Sequence, residues 1–417
     1  MRPVFAAQTR HNRRYILKTD ISRFYQSIYA HSVPWAIHGK PFAKSNRGLA
    51  HLGNRIDLLL RSAQDQQTIG VPIGPDTSLV VAEILLQASD RDLLQLIPDV
   101  RGHRYIDDYE LGFRDRTDAE NAYHVLGSVL SRYELALNPQ KTEVVELPAQ
   151  LESSWRVHLS RHEFVAASPR GQQTELLEYF SLSFELARRY TGEPVLQYAV
   201  ARVRELKIEP SNWILFCTLL LDCAVPEPAC LQYVLEIVIK NVNSGATCPT
   251  SELEEALNAI LEEHSGTDHT SEIAWSVWAC LALKIPIHGG AARKIETCEN
   301  SVVALLALHA NSEGLIQGGL NTAMWTASMT TQALYDESWL LAYEANVKGW
   351  LPSQGGGDHV AADPSFAFLK ATSVSFYDPT AAVPVGTAPV PVPNVTSSIN
   401  TGIQGALQSV GGSIASV

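Results

Sequence analysis

Apolar and polar positions change period along this chain. Arg14 to Thr19 (RYILKT) alternates, as a half-buried strand does, and delivers Asp20 to the strand's end. A short helix is expected from Ser22 to Tyr29. Thr68 to Gly74 (TIGVPIG) is a glycine-proline turn, and Pro75-Asp76-Thr77 then opens a long apolar helix from Ser78 to Leu96. His103 to Phe113 (HRYIDDYELGF) reads as two short strands, because Asp107-Asp108 interrupts an aromatic and apolar run. An amphipathic helix from Asp118 to Tyr133, a loop from Leu137 to Thr142 and a strand from Glu143 to Leu147 follow. This order predicts an α+β domain over residues 1–167.

From Ser168 the period becomes helical throughout. Amphipathic helices are predicted at Thr174–Tyr190, Pro194–Leu206, Asn212–Cys223, Ala229–Lys240, Ser251–Glu263, Ser271–Leu283, Ser301–Ala310 and Glu337–Val347. They pair into units of roughly 40 residues, the spacing of an irregular helical solenoid, without a clean sequence repeat. A helical domain over 168–377 is therefore expected. After Asp378 no charged residue occurs and Pro, Val, Ala, Gly, Ser and Thr dominate, so 378–417 reads as a low-complexity, disordered tail.

Composition narrows the function. The 417 residues are 46% hydrophobic, enough for several cores, and no continuous apolar run is long enough to cross a membrane. The start of the chain lacks a signal-peptide pattern, so a cytoplasmic protein is expected. Six scattered cysteines form no C-x-x-C pair and read as reduced thiols. The thirteen histidines show no H-E-x-x-H spacing, which leaves a zinc site without support. Net charge is −12, but residues 1–150 carry +1 and the remainder −13. Within residues 1–50, nine Lys and Arg surround a single acid, Asp20.

That acid and the Asp107-Asp108 pair suggest chemistry. Phosphoryl transfer to a hydroxyl is assisted by two divalent cations about 3.5–4 Å apart. Hard cations of this kind take carboxylate oxygens brought from separate strands. Asp20 at one strand end and Asp107-Asp108 at a hairpin tip would meet that need. Tyr105-Ile106-Asp107-Asp108 alone is equally well read as a turn that happens to contain two aspartates.

Companion motifs separate the two readings. Thr19-Asp20-Ile21-Ser22-Arg23-Phe24-Tyr25 resembles motif A of the reverse transcriptase family, Gly70-Val71-Pro72-Ile73-Gly74 its motif B and Tyr105-Ile106-Asp107-Asp108 its Y-x-D-D motif C. Leu137-Asn138-Pro139-Gln140-Lys141-Thr142 is similar to motif D. The resemblance implies a polymerase palm that acts as an RNA-directed DNA polymerase. It would use two Mg2+ ions, with Mn2+ as an alternative, held by Asp20, Asp107 and Asp108. Its substrates would be deoxynucleoside triphosphates with a DNA or RNA primer and template. Lys141 would assist the departing pyrophosphate, and Tyr25 would lie beneath the incoming sugar and exclude a 2′-hydroxyl. Ile21, Gly70, Pro72, Gly74 and Tyr105 would complete the substrate contacts, the glycines by permitting close backbone approach. Ile73 departs from the pattern, for many members carry glutamine there.

Asp20 to Tyr25, His31-Ser32-Val33-Pro34-Trp35-Ala36 and Gly74-Pro75-Asp76-Thr77-Ser78 resemble bacterial abortive-infection reverse transcriptases of the AbiK type. That subgroup implies anti-phage defence, a HEAT-like helical repeat after the polymerase and synthesis primed from the protein itself. Only nineteen residues precede Asp20, so the fingers region that family members place there is expected to be missing. Arg13, Arg14 and Lys18 could supply some of its positive charge. A different class stays open: a degenerate palm serving as a scaffold, whose acidic helical region binds a protein partner or another copy of the chain. Another palm enzyme, such as a cyclase or an RNA polymerase, would use similar carboxylates.

Overall fold

A computed structural model of the protein describes residues 2–264 and 270–381. The described residues up to Ser153 form one compact unit and those from Ser154 onward form another.

The first unit is built on a four-stranded antiparallel sheet in the order β2-β3-β1-β4, with β1 Tyr15–Asp20, β2 Arg101–Tyr105, β3 Asp108–Phe113 and β4 Glu143–Glu146. β1 is central because Ile16 and Leu17 are apolar toward both faces, and both are almost wholly buried. On one face Leu17 and Leu111 join Leu126 and Leu130 of helix α7 (Arg116–Ser131) and Leu85 and Leu86 of α6 (Asp76–Leu96) in one core. On the other lies α1 (Arg2–Arg10), which packs on β2 and β3. A Cβ at Gly112 would stand 3.2 Å from the Thr9 carbonyl oxygen, so a glycine there lets the backbone of α1 approach the strand.

α6 buries Ser78, Val81, Ala82, Leu85, Leu86, Ser89 and Leu93, the three-and-four spacing of a helix with one face inward. Pro75 stands just before its first turn, where Asp76 favours the positive end of the helix dipole. Truncating Leu85, wholly buried in this core, to alanine should cost about 2–5 kcal/mol.

The strands and long helices stand where the periodicity places them, within a few residues. The expected helix from Ser22 to Tyr29 shrinks to α2 (Phe24–Ser27), because Arg23 takes a left-handed φ of 47° and delays its start. Three further helices that the pattern did not single out follow: α3 (Ser32–His38), α4 (Lys40–Ser45) and α5 (Leu52–Ser62). They are short and separated by turns, with Gly39 at φ 82° between the first two, so no window shows a full period.

The second unit is helical. Its helices are α8 (Ser154–Ser160), α9 (Pro169–Arg189), α10 (Val195–Arg202), α11 (Trp213–Ala224), α12 (Leu231–Asn243), α13 (Thr250–His264) and α14 (Thr270–Leu283). After these come α15 (Gly289–Ile295), α16 (Ser301–Ser312), α17 (Ala323–Ala327), α18 (Trp339–Val347) and α19 (Pro364–Ala371). Each of the eight helices read from the sequence has a counterpart here. From α11 to α14 each packs on its neighbour or next neighbour, around a core that includes Phe180, Phe216, Leu220, Leu235, Leu257 and Val277. Side-chain caps fix the ends: Ser168 accepts from the Gly171 N–H, Asn300 from Val302 and Val303, and Asp363 from Ser365 and Phe366.

All six cysteines are free thiols, and Cys217, Cys223, Cys230 and Cys280 are buried. Among the described residues no helix is long and apolar enough to cross a membrane. The low-complexity segment lies, from residue 382, outside the described residues.

Candidate active site

Register brings the acids together. In the β1–β3 ladder Asp20 is the direct partner of Asp108, and in the β2–β3 ladder Tyr105 is. Asp107 occupies the two-residue turn after Ile106, which adopts φ 54° to close it. The Ile21 N–H donates to the Asp107 carbonyl at 3.2 Å, and the Asn138 N–H donates to the Asp20 carbonyl at 2.9 Å. The end of β1 is thus tied by its backbone to the hairpin turn on one side and to the 136–138 loop on the other.

The carboxylates differ in environment. Asp20 is only 5% exposed, whereas Asp108 is exposed and Asp107 lies between. Burial pushes the Asp107 carboxyl above the ordinary carboxylate range, and the charges of Asp108 and Asp20 push the same way, with Lys141 opposing them. Lys141 Nζ donates to Asp20 Oδ2 at 2.7 Å, while Asp20 Oδ1 is buried without a hydrogen-bond partner. Its carboxylate partner raises the Lys141 pKa above the usual lysine value. The short turn Pro139–Lys141 aims the lysine. Asn138 Oδ1 accepts from the Gln140 N–H, and the Thr142 hydroxyl bonds the Asn138 carbonyl and meets the Thr19 hydroxyl at 2.7 Å.

Tyr25 is half-buried beside Phe24, with ring centroids 5.3 Å apart. Burial raises its phenol pKa, and the charges of Asp107 and Glu83 push the same way. The glycine loop is anchored to the same segment. The Val71 N–H donates to the Tyr25 carbonyl at 2.9 Å and the Gly70 N–H to Ile28 at 2.8 Å. Gly70 and Gly74 have φ of 88° and 117°, conformations a side chain would strain. Ile73 is 70% exposed on this loop, beside Pro72, which is also exposed. Ile21 stands apart from the other expected substrate residues: its side chain is in the core and its N–H is used by Asp107.

Sequence reasoning passed over the group that supports the hairpin. Arg104, one residue before Tyr105, is 2% exposed. Its guanidinium binds both oxygens of Asp90, with contacts of 3.0 and 3.3 Å, and both oxygens of Glu83 at 3.0 Å. Its Nη1 also donates to the Ile106 carbonyl at 2.7 Å, so the arginine clamps the turn to α6. Tyr109 Oη completes the group on Asp90 at 3.2 Å. Burial lowers the Arg104 pKa, but the charges of Asp90 and Glu83 outweigh it and hold the guanidinium above its ordinary value. The available signal was weak: Arg104 takes the same inward parity as Gly102 in the polar strand RGHRY, and a buried guanidinium demands buried acids.

Two of the three N-terminal cations are committed elsewhere. Arg14 pairs with Glu146 at 2.9 Å and Lys18 with Glu143 at 3.3 Å, across the β1–β4 pairing.

Residues 3–177 match the family model described as reverse transcriptase (RNA-dependent DNA polymerase). Over this stretch the chain is similar to reverse transcriptase domains. No curated protein matches the chain. All four motif-like segments fall inside the match, and three of them meet around Asp20, Asp107 and Lys141. Among the described residues no three His, Cys, Asp or Glu side chains converge into a ready-made metal cage. The donor set nevertheless suits a hard cation: a buried carboxylate oxygen of Asp20 lacks a partner, and burial, followed by repulsion from Asp108 and Asp20, raises the neighbouring Asp107.

Proposed function

We propose that the chain is a DNA-synthesising nucleotidyltransferase whose domain is a polymerase palm. The observation that carries this reading is the placement of Asp20 opposite Asp108, with Asp107 at the adjoining turn and Lys141 on Asp20. Asp20, Asp107 and Asp108 would hold two Mg2+ ions, or Mn2+ in their place. Bound there, such ions lower the pKa of an attacking hydroxyl and neutralise triphosphate charge. The side chains do the rest. Asp20 and Asp107 offer acceptor oxygens from a partly dry strand end. Lys141 holds its proton beside Asp20 and stabilises developing negative charge on the leaving pyrophosphate. Tyr25 limits the space beneath the sugar and favours deoxynucleotides, while Gly70 and Gly74 let the loop backbone approach them.

The helices from α9 onward belong in this reading to a HEAT-like repeat, supported by their length and neighbour packing, and the protein acts in the cytoplasm. Anti-phage defence of the abortive-infection type rests on the resemblance of Asp20–Tyr25, His31–Ala36 and Gly74–Ser78. Magnesium-dependent incorporation of labelled deoxynucleotides, with and without added template, tests the reaction. Synthesis lost in Asp107→Asn supports it, and synthesis retained with both Asp20 and Asp107 changed to Asn would overturn it. Tyr25→Ala should admit ribonucleotides while keeping the fold.

A second reading has its own observation. Residues 151–417 carry a net charge of −13, which favours a protein partner over nucleic acid for the helical region. A chain that binds neither nucleotide nor duplex at low salt but captures a protein would be such a scaffold.

A further inference from the structure

Beside the glycine loop, the segment containing α3, α4 and α5 encloses a cleft of about 990 Å³ lined by Tyr29, Trp35, Lys44, Arg47, Arg61 and Ile69, among others. The sequence that builds most of it is one-sided in charge. Residues 21–56 hold five Lys and Arg and no Asp or Glu, in a chain whose net charge is −12.

The acids that do line the cleft are already matched. Asp57 is held on Oδ1 by Arg61 Nε at 3.1 Å and on Oδ2 by His31 Nδ1 at 2.7 Å. Glu134 is paired with Lys40 at 3.4 Å. Lys44 and Arg47 are exposed and have no carboxylate partner among the described residues, so their charge faces outward uncompensated. Aromatic surface lies beside them. Tyr29 meets Trp35 at 5.8 Å and His31 at 5.0 Å, both edge-on, and Lys40 Nζ sits 3.9 Å from the Trp35 ring centre.

The cleft adjoins the carboxylate site through backbone. Tyr29 pairs with Ile69 as an antiparallel bridge, and the Ala30 N–H donates to the Thr68 carbonyl at 2.8 Å, two residues before Gly70. Ile69 itself is 64% exposed. Cations without carboxylate partners, here Lys44 with its Nζ 5.8 Å from the Trp35 ring centre and Arg47 bonded among the described residues only to the Lys44 carbonyl, next to flat rings are what a single strand requires: the charges track phosphates and the rings accept any base.

We propose that this cleft binds a single-stranded polynucleotide, with phosphates on Lys44 and Arg47 and a base against Tyr29 and Trp35, and feeds that strand toward the Gly70–Gly74 loop. The strand's role as substrate rests on the polymerase reading; its binding does not. An acidic peptide would match the charges but leave the rings unused.

The test is fluorescence anisotropy of a labelled twelve-nucleotide oligothymidylate with the full chain, titrated at several salt concentrations. Lys44→Gln/Arg47→Gln changes only exposed side chains, and its melting curve verifies the fold. The double variant should bind on the order of tenfold more weakly, with the slope of log K against log salt reduced by about 1.4, two phosphate contacts' worth. No binding by the intact chain, or equal affinity and slope in the double variant, would overturn the proposal, as would displacement by polyglutamate as effective as by unlabelled oligonucleotide. If binding depends on Lys44 and Arg47 while no nucleotide is ever incorporated, the polymerase reading fails and the cleft stands.

Discussion

Asp20 and Asp108 face one another as the final cross-strand pair of β1 and β3. Two like charges opposite one another destabilise a sheet, typically by a few tenths of a kcal/mol to about 1 kcal/mol. Asp107 adds a third negative charge at the adjoining turn. A fold that keeps these acids at one strand end carries an electrostatic cost, offset in part by Lys141 on Asp20.

Asp107→Asn should therefore stabilise the protein at neutral pH. A carboxyl raised in the folded state binds its proton more tightly there than in the unfolded chain. Stability is greatest below the ordinary value of 3.8 and falls as pH rises through the raised one. With allowance for screening at a partly exposed site, the gain at pH 7 should stay below about 1 kcal/mol, or roughly 1–3 °C in Tm. Thermal melts of both proteins at pH 7 and pH 3.5 measure it: the difference should shrink at the lower pH.

Magnesium should stabilise the intact chain and leave that variant nearly unmoved. Ions that bind only the folded state raise Tm with concentration, by about 2.7 kcal/mol of free energy at a hundred times Kd. A Tm that stays flat from zero to 20 mM Mg2+ in the intact protein, concentrations set by the experimenter and roughly those of ordinary assays, would argue against cation binding by these acids.

Lys141→Ala removes the cation nearest Asp20. Incorporation should fall by about 10²–10⁴-fold if the lysine supplies proton or charge to the leaving group, and the alkaline limb of the pH–rate profile should change with it. Lys141→Arg should restore charge but not proton transfer. The stability change should be small, because the side chain is 68% exposed.

Arg104→Met leaves Asp90 and Glu83 facing one another without their shared cation. Stranding buried carboxylates typically costs about 3–5 kcal/mol, on the order of 10 °C in Tm for a unit of this size. Adding Asp90→Leu should recover part of the loss, which a thermal melt of the double variant would show. Incorporation should remain impaired even in that double variant, since the 2.7 Å bond to the Ile106 carbonyl is gone.

The buried thiols should be inert. Burial pushes Cys217 and Cys280 up to about 12, and Cys223 and Cys230 higher still. At pH 8 in native buffer iodoacetamide should label Cys248 and Cys298 first, read by peptide mass spectrometry; prompt labelling of Cys217 would contradict the packing around α11.

Much of this was readable one residue at a time. The apolar stretch in RYILKT and the acid pair in HRYIDDYELGF mark a strand and a hairpin, although β1 is buried on both faces at Ile16 and Leu17 where alternation suggested one. Eight of the helices of the second unit were legible for the same reason, each presenting an apolar face to its neighbours, whereas the short α8, α15, α17 and α19 were not singled out. The segment 31–62 was not, because its short helices never complete a clear period and a glycine interrupts them.

The sequence by itself determined which residue types were available and where the strands and long helices form, since those depend on local spacing. Tertiary structure decided what those residues meet. Only pairing register sets Asp20 against Asp108, only the return of residues 136–141 to the end of β1 brings Lys141 to 2.7 Å from Asp20, and only the packing of α6 behind the hairpin gives Arg104 its two acids. Those contacts join positions up to 121 residues apart, and no local periodicity carries information over that separation: it is the shared burial of distant faces that selects them.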